Sequence, residues 1–137
     1  MGFDAMEKIL ADSSFLIALA RKADENHVRS VAIKDSLDNN TFLITDHILG
    51  EIVTFLNKRD SAQIAHAVGK TLLQSSDMTI IFPEESELEQ ALDYLRKYNV
   101  ISFCDALSIT LMKSNGISKI VSFDSDFDKI AGVERIF

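Results

Sequence analysis

The run Lys8-Ile9-Leu10-Ala11-Asp12-Ser13-Ser14 contains the features that decide the fold of this chain of 137 residues. Residues 9–11 are apolar without interruption, as in a strand that is covered on both faces, because a half-exposed strand alternates apolar and polar side chains. The helical stretch 14–22 follows at once. The run therefore predicts a buried strand that passes directly into a helix, with an acidic residue, Asp12, at the junction.

Further segments of strand and helix character alternate along the rest of the chain. Continuous strand-like runs cover 42–45, 78–82 and 119–123, and a weaker run at 133–137 is expected at a sheet edge. Strands separated by long helical segments indicate parallel strand–helix–strand units. We predict an α/β fold, a three-layer α/β/α sandwich with a parallel sheet of about five strands, in a single domain over residues 1–137. The other predicted helices contain residues 25–37, 48–56, 64–72, 88–95 and 103–114.

Local signals place the ends of several helices. Ser86 and Glu89, after the only proline, have the spacing of a capping box. Asp46 is expected to cap the helix that follows the second strand. Asn115-Gly116 is a typical left-handed stop after the helix 103–114.

Composition limits the class of protein. A single cysteine, Cys104, rules out an intrachain disulfide, no apolar run approaches the roughly 20 residues of a membrane helix, and residues 1–7 do not resemble a signal peptide. We therefore expect a cytoplasmic protein with no membrane association. The net charge of −7 argues against broad neutralisation of nucleic-acid phosphates, unless the acids are concentrated in one metal site or a basic partner is missing. Alternatively, the charge serves only solubility.

Carboxylates from separate segments are predicted to meet at one edge of the sheet. Asp12 follows the first strand, Glu51 lies on the opening turns of the helix after the second, and Asp124 follows the fourth. Asp105 lies in the first turn of the helix 103–114. Ligands of parallel sheets bind beyond the carboxyl ends of the strands, which is where these residues should converge.

Such a cluster requires a cation, since neighbouring carboxylates repel one another. Mg²⁺ or Mn²⁺ suits an all-oxygen site, and one or two such ions activate water for phosphodiester hydrolysis. Ser14 is placed to orient a carboxylate. The histidines have no zinc-like spacing with one another or with Cys104, which we predict to be a buried, inert thiol.

Each acid also has a structural explanation. Asp12 is placed to cap the helix after it, Ser102 and Asp105 match a capping box, and Glu51 is compatible with an exposed helix acid. The segment Asp124–Asp128 resembles the start of an EF-hand loop, but a lysine replaces the required glycine and an arginine the closing glutamate.

Together these motifs resemble the PIN (PilT N-terminal) domain, especially the small single-domain VapC-type toxins. The resemblance covers 9–14, 45–51, 104–106 and 121–127, in order and over essentially the whole chain. It implies a parallel five-stranded sheet between helices, Mg²⁺- or Mn²⁺-dependent endoribonuclease activity, frequent homodimers and a cognate antitoxin.

The resemblance also assigns roles to individual residues. It implies that Asp12, Glu51, Asp105 and Asp124 form an acidic quartet that is both catalytic and metal-binding, with Ser14 as its small polar residue and Asp126 as a further acid. The choice of Asp124 over Asp126 rests on counting back from Phe127. Candidates for RNA contact are Lys58, Arg59 and Lys70, which are equally compatible with solvated surface charges.

Two other classes of protein compete with a nuclease. The first is a PIN-like module that binds partners without cleaving RNA, against which the intact quartet argues. The second is a phosphoryl-transfer receiver or a haloacid-dehalogenase-like phosphatase. These would require a second aspartate two residues after Asp12, where Ser14 stands, and a lysine at a strand end.

Overall fold

The computed structural model describes residues 6–137, and residues 1–5, part of the opening segment discussed above, lie outside the described residues. The strands are β1 (Lys8–Ala11), β2 (Thr41–Thr45), β3 (Met78–Ile81), β4 (Lys119–Val121) and β5 (Glu134–Ile136). The helices are α1 (Ser13–Ala20), α2 (His27–Ser36), α3 (Asp46–Arg59), α4 (Ala62–Gln74), α5 (Glu85–Lys97) and α6 (Phe103–Ser114), with a 3-10 helix at Ser125–Lys129.

The strands form one parallel sheet in the order β3-β2-β1-β4-β5. The predicted α/β fold with a parallel five-stranded sheet is thereby confirmed, including the edge position of the last strand. In the register of the sheet, Leu10 of β1 lies between Leu43 of β2 and Ile120 of β4. The carboxyl ends of these central strands are therefore neighbours.

The core is continuous across the sheet and its helices. Residues 9–11 are buried, and the Phe15 ring stacks on that of Phe42 with 6.0 Å between centroids. Every residue of α6 from Ala106 to Met112 is buried, which is typical of a helix that is enclosed on all sides. Because α6 is so firmly enclosed, the first turn of the helix, with Asp105, is held in a fixed position.

The sheet edge at β3 departs from the prediction of strands covered on both faces. No residue of β3 is fully buried, and Phe82, immediately after it, is 69% exposed. An edge strand has a neighbour on one side only, so an apolar run does not guarantee burial there.

Two predicted helix caps are wrong, each by a short displacement. The cap of α3 is Thr45, whose hydroxyl accepts from the Ile48 N–H at 3.0 Å, while Asp46 is already helical. The capping box of α5 is formed by Glu84 and Glu87, where the Glu87 carboxylate accepts from the Glu84 N–H at 2.9 Å. Both helices begin one or two residues earlier than the local motifs indicated.

The stop after α6 is confirmed by its backbone conformation. Gly116 has a φ of +66°, a left-handed conformation that costs glycine no steric strain. Within residues 6–137, no helix has the length and apolar character that crossing a membrane requires.

Candidate active site

Asp12 lies at the carboxyl end of the central strand, where its backbone N–H donates to the Val121 carbonyl at 3.0 Å. It occupies the cap position of α1, but its side chain makes no capping hydrogen bond, which argues against a purely structural role. The carboxylate instead accepts from the hydroxyls of Ser122 at 2.6 Å and Ser14 at 3.1 Å. Asp12 is only 4% exposed, and burial raises its pKa despite the two serines, with the Glu51 charge adding to the rise.

Ser122 links the segment of Asp12 to the segment of Asp124. The sequence analysis did not identify this residue. Its hydroxyl donates to Asp12 and accepts from the Asp124 N–H at 3.1 Å, and the residue is completely buried. Ser14, as predicted, contacts the Asp12 carboxylate, and its oxygen also accepts from the Phe123 N–H at 3.0 Å. A signal for Ser122 existed, since it follows β4 as Asp12 follows the neighbouring β1.

Asp105 lies in the first turn of α6, where Ser102 is the cap and accepts from the Asp105 backbone N–H at 3.1 Å. This bond does not use the Asp105 carboxylate. The pKa of that carboxylate is raised to about 7, mainly by burial and then by the charge of Asp12, with a smaller rise from Asp124. Hydrogen bonds from Ser102 act in the opposite direction and lower it. The charges of two other members of the predicted quartet, Asp12 and Asp124, therefore act on Asp105.

Glu51 lies on α3 and contacts α6 through Cys104. The Cys104 thiol donates to a Glu51 carboxylate oxygen with 3.2 Å between sulfur and oxygen. Burial raises the pKa of the thiol far above its ordinary value, and the adjacent Glu51 raises it further, so the thiolate is not populated at neutral pH. The predicted inertness agrees with this, but Cys104 is half-buried rather than buried: it packs against the edge of the core and also contacts the Glu51 carboxylate.

Asp124 and Asp126 differ in their partners. Asp124 caps the 3-10 helix by accepting from the Asp126 N–H at 2.9 Å, and its charge acts on Asp105. The Asp126 carboxylate lies 3.3 Å from the Lys129 ammonium. Asp124 is thus the acid of this segment that joins the cluster, whereas Asp126 has a cation of its own.

The four predicted acids are linked electrostatically in pairs: Asp12 with Glu51, Asp12 with Asp105, and Asp105 with Asp124. In the described part of the chain, no three His, Cys, Asp or Glu side chains already form a site that would hold a metal ion. The donors nevertheless suit Mg²⁺ or Mn²⁺, because all are carboxylates and a bound cation would offset the burial and the repulsion that raise the pKa values of Asp12 and Asp105. Binding requires side-chain rotation in this cluster.

The basic candidates are not equivalent. Lys58, near the end of α3, lines a groove that also contains Ser13 and Glu51. Arg59 borders the adjoining groove with Lys58 and Phe55. Lys70 is exposed on α4, outside both grooves. Of the three, Lys58 is the cation that shares a surface with the acidic cluster.

With the fold and these acids in place, comparison with known proteins identifies the family. The sequence model of the PIN domain matches residues 9–133. The chain belongs to the PIN domain family. The resemblance that the motifs indicated, including its VapC-type character, is therefore confirmed.

Relatives match this PIN domain over nearly its whole length. It is 30% identical over 129 residues to the 23S rRNA-specific endonuclease VapC20 of Mycobacterium tuberculosis, covering 92% of this chain and 96% of the relative. The crystal structure of VapC20, described as a sarcin-ricin loop cleaving toxin, superimposes with a TM-score of 0.81 at 28% identity, over 88% of this chain and 93% of that one.

A more distant structure shares the fold alone. VapBC2 from Rickettsia felis, bound to a promoter DNA fragment, superimposes with a TM-score of 0.69 at 14% identity, over 94% of this chain and 97% of that one. Its similarity supports the topology of this PIN domain and no finer statement.

Proposed function

We propose that this PIN domain is a Mg²⁺- or Mn²⁺-dependent endoribonuclease that hydrolyses RNA phosphodiester bonds, and that it is the toxin of a toxin–antitoxin pair. One observation carries the proposal: Asp12 is buried and Asp105 is half-buried next to other carboxylates, their pKa values are raised, and within residues 6–137 neither forms an ion pair with a lysine or arginine. Removing such acids from water without a positively charged partner costs free energy, unless a cation binds to them.

In this mechanism Asp12, Glu51, Asp105 and Asp124 would hold one or two ions, with Asp126 as an accessory acid. A metal bound there would supply charge stabilisation for the phosphodiester and a lowered pKa for water. Ser122 and Ser14 fix the Asp12 carboxylate by their hydrogen bonds, and Cys104 fixes one oxygen of Glu51. Ser122 also anchors the Asp124 backbone, so that two acids keep a constant separation.

The assignment of RNA as substrate is supported by the relatives. VapC20, 30% identical to this chain, is named for cleavage of 23S rRNA. We extend RNA cleavage to this PIN domain and leave the identity of the RNA to experiment. Because RNA and magnesium are abundant in the cytoplasm, a cytoplasmic location is part of the proposal.

An antitoxin and a second copy of the chain are the proposed protein partners. An apolar groove of about 320 Å³ between α1 and α4, lined by Leu16, Leu19 and Val68 among others, suits an apolar helix of an antitoxin. Phe82, Leu92 and Val100 are exposed apolar residues at 69%, 56% and 47%, and they offer contacts for a homodimer.

Incubation of the purified protein with total RNA, with Mn²⁺ or with chelator, tests the activity. We expect cleavage with Mn²⁺ only, and none by the Asp12→Asn variant. Asp38→Asn, a change of an exposed acid outside the cluster, is the matched control and should cleave normally. Absence of cleavage by the wild type under both conditions would favour a partner-binding module instead.

A further inference from the structure

A groove of about 500 Å³ lies between α1 and α3, beside the acidic cluster. Ser13 and Glu51 line its end at the cluster, and Phe55 and Lys58 line the rest of the α3 side. Its volume is in the range of roughly 300–1,000 Å³ that is typical of pockets for small ligands. The groove is thus large enough for one nucleotide and continuous with the proposed site.

Phe55 provides a fixed aromatic surface in this groove. Its side chain is 40% exposed, and the Arg21 guanidinium lies over the ring at 5.9 Å from the centroid. Arg21 is itself held by two hydrogen bonds to the Asp60 carboxylate, at 2.9 and 3.1 Å. One face of the ring is therefore supported by a rigid cation, and the exposed part is available for stacking.

Along α3, an acid, an aromatic ring and an ammonium occur in the same order as the cleaved phosphate, the base and the neighbouring phosphate of an RNA strand. Along the axis of α3, the backbone positions of Phe55 and Lys58 lie about 6 Å and about 10 Å beyond that of Glu51, at roughly 1.5 Å per residue. Among residues 6–137, Lys58 forms no ion pair. Three groups thus follow one another along α3: the Glu51 carboxylate proposed to hold a cation, the Phe55 ring and the Lys58 ammonium, which forms no ion pair among the described residues.

We propose that this groove is a subsite for one unpaired nucleotide of the RNA, next to the phosphate that is cleaved. The base stacks on Phe55 and the neighbouring phosphate binds Lys58. Unstacked bases of single strands and loops stack on aromatic side chains in this way, whereas paired bases in a duplex do not. The inference rests on the proposed function, because it takes RNA as the ligand.

The test measures binding of a fluorescent single-stranded RNA oligonucleotide to the full chain in Mn²⁺, in the Asp12→Asn background so that no cleavage occurs. Phe55→Leu should weaken binding roughly 5- to 150-fold, the range for loss of one base–aromatic stack, and Phe55→Trp should restore it. Lys58→Gln should weaken binding and reduce its salt dependence by about 0.7 in the log–log slope. Lys97→Gln, a change of a lysine on α5 outside the groove, is the matched control.

A second variant tests the groove without altering its ring. A Cβ added at Gly50, which lines the groove, would meet no atom within 4 Å, so Gly50→Leu should fill the groove while the fold is retained. It should weaken single-strand binding as Phe55→Leu does. Neither variant should change binding of a fully paired RNA duplex.

The outcomes separate this subsite from the proposed function. Cleavage by the wild type, together with unchanged oligonucleotide binding in Phe55→Leu and Gly50→Leu, would overturn the subsite and leave the nuclease intact; the groove would then serve a protein partner. Equal weakening of single-strand and duplex binding would also overturn it. If the wild type does not cleave but the two variants lose single-strand binding, the subsite stands and the catalytic proposal fails.

Discussion

Asp128 of the 3-10 helix and Asp105 of α6 have surroundings that shift their pKa values in opposite directions. Asp128 accepts two hydrogen bonds from the Arg135 guanidinium, at 2.8 and 2.9 Å, which hold its pKa below the ordinary value. Asp105 has no such partner among the described residues, and burial and Asp12 raise its pKa to about 7. The fold supplies an ion-paired arginine to Asp128, whereas within residues 6–137 neither Asp12 nor Asp105 forms an ion pair with a lysine or arginine. That difference supports the proposal that the cluster binds an external cation.

The largest effect should come from neutralising an acid of the cluster. Asp12→Asn keeps the size of the side chain but removes a metal ligand, and we expect cleavage to fall on the order of 10³-fold, since metal stabilisation contributes several kcal/mol. Asp128→Asn should leave activity within about twofold of wild type and reduce stability slightly. Rates of RNA cleavage in Mn²⁺ check both. Equal losses in the two variants would remove the distinction between the acids.

A smaller effect is expected at the serine that orients Asp12. Ser122→Ala removes a 2.6 Å hydrogen bond, and loss of such a supporting contact typically costs 10- to 100-fold in metal affinity or activity. Ser108→Ala is the matched control, because Ser108 is equally buried but its hydroxyl finds no hydrogen-bond partner among residues 6–137. That change should be neutral or stabilising. Manganese titration of both variants measures the difference, and equal affinities would contradict the role of Ser122.

The smallest effect concerns Cys104. Cys104→Ala should weaken Mn²⁺ binding only a few-fold, since a thiol is a weak donor, and Cys104→Ser should retain the contact to Glu51. The folded wild type should react slowly with a thiol reagent, because the raised pKa leaves little thiolate. Complete loss of cleavage in Cys104→Ala, with folding and metal binding unchanged, would instead indicate a nucleophile.

The sequence was sufficient to predict the sheet and the acids that follow its strands, because apolar runs and helical periods record burial directly. It was insufficient for features that depend on which strands are neighbours. Ser122 became recognisable only when β4 was paired with β1, and the exposure of Phe82 only when β3 proved to be an edge. The cap of α3 moved from Asp46 to Thr45 because the helix begins immediately at the end of β2.

The placement of Cys104 shows the same limit. Its neighbours in sequence indicated a buried helix face, but the first turn of α6 projects from the core toward α3. Only the packing of two helices brings the thiol to Glu51. The distinction between Asp124 and Asp126 likewise depended on where the Lys129 ammonium lies.

If the cluster is stabilised by a bound divalent cation, the stability of the metal-free protein should depend on pH through Asp105. The folded protein holds the Asp105 proton more tightly than the unfolded chain does, since the pKa rises from 3.8 to about 7. In chelator, this group therefore lowers stability as the pH rises from about 4 to about 7. Asp105→Asn should lack that loss and, at pH 8, melt at or above the wild-type temperature.

Melting curves of wild type and Asp105→Asn at pH 8, with Mn²⁺ and with chelator, test the claim most directly. At a hundredfold excess over its dissociation constant, Mn²⁺ should stabilise the wild type by about 2.7 kcal/mol, a shift of roughly 5–10 °C. In Asp105→Asn most of that shift should vanish. If the variant melts below wild type in chelator but keeps the full Mn²⁺ shift, Asp105 only caps α6 and the account of the cluster is contradicted.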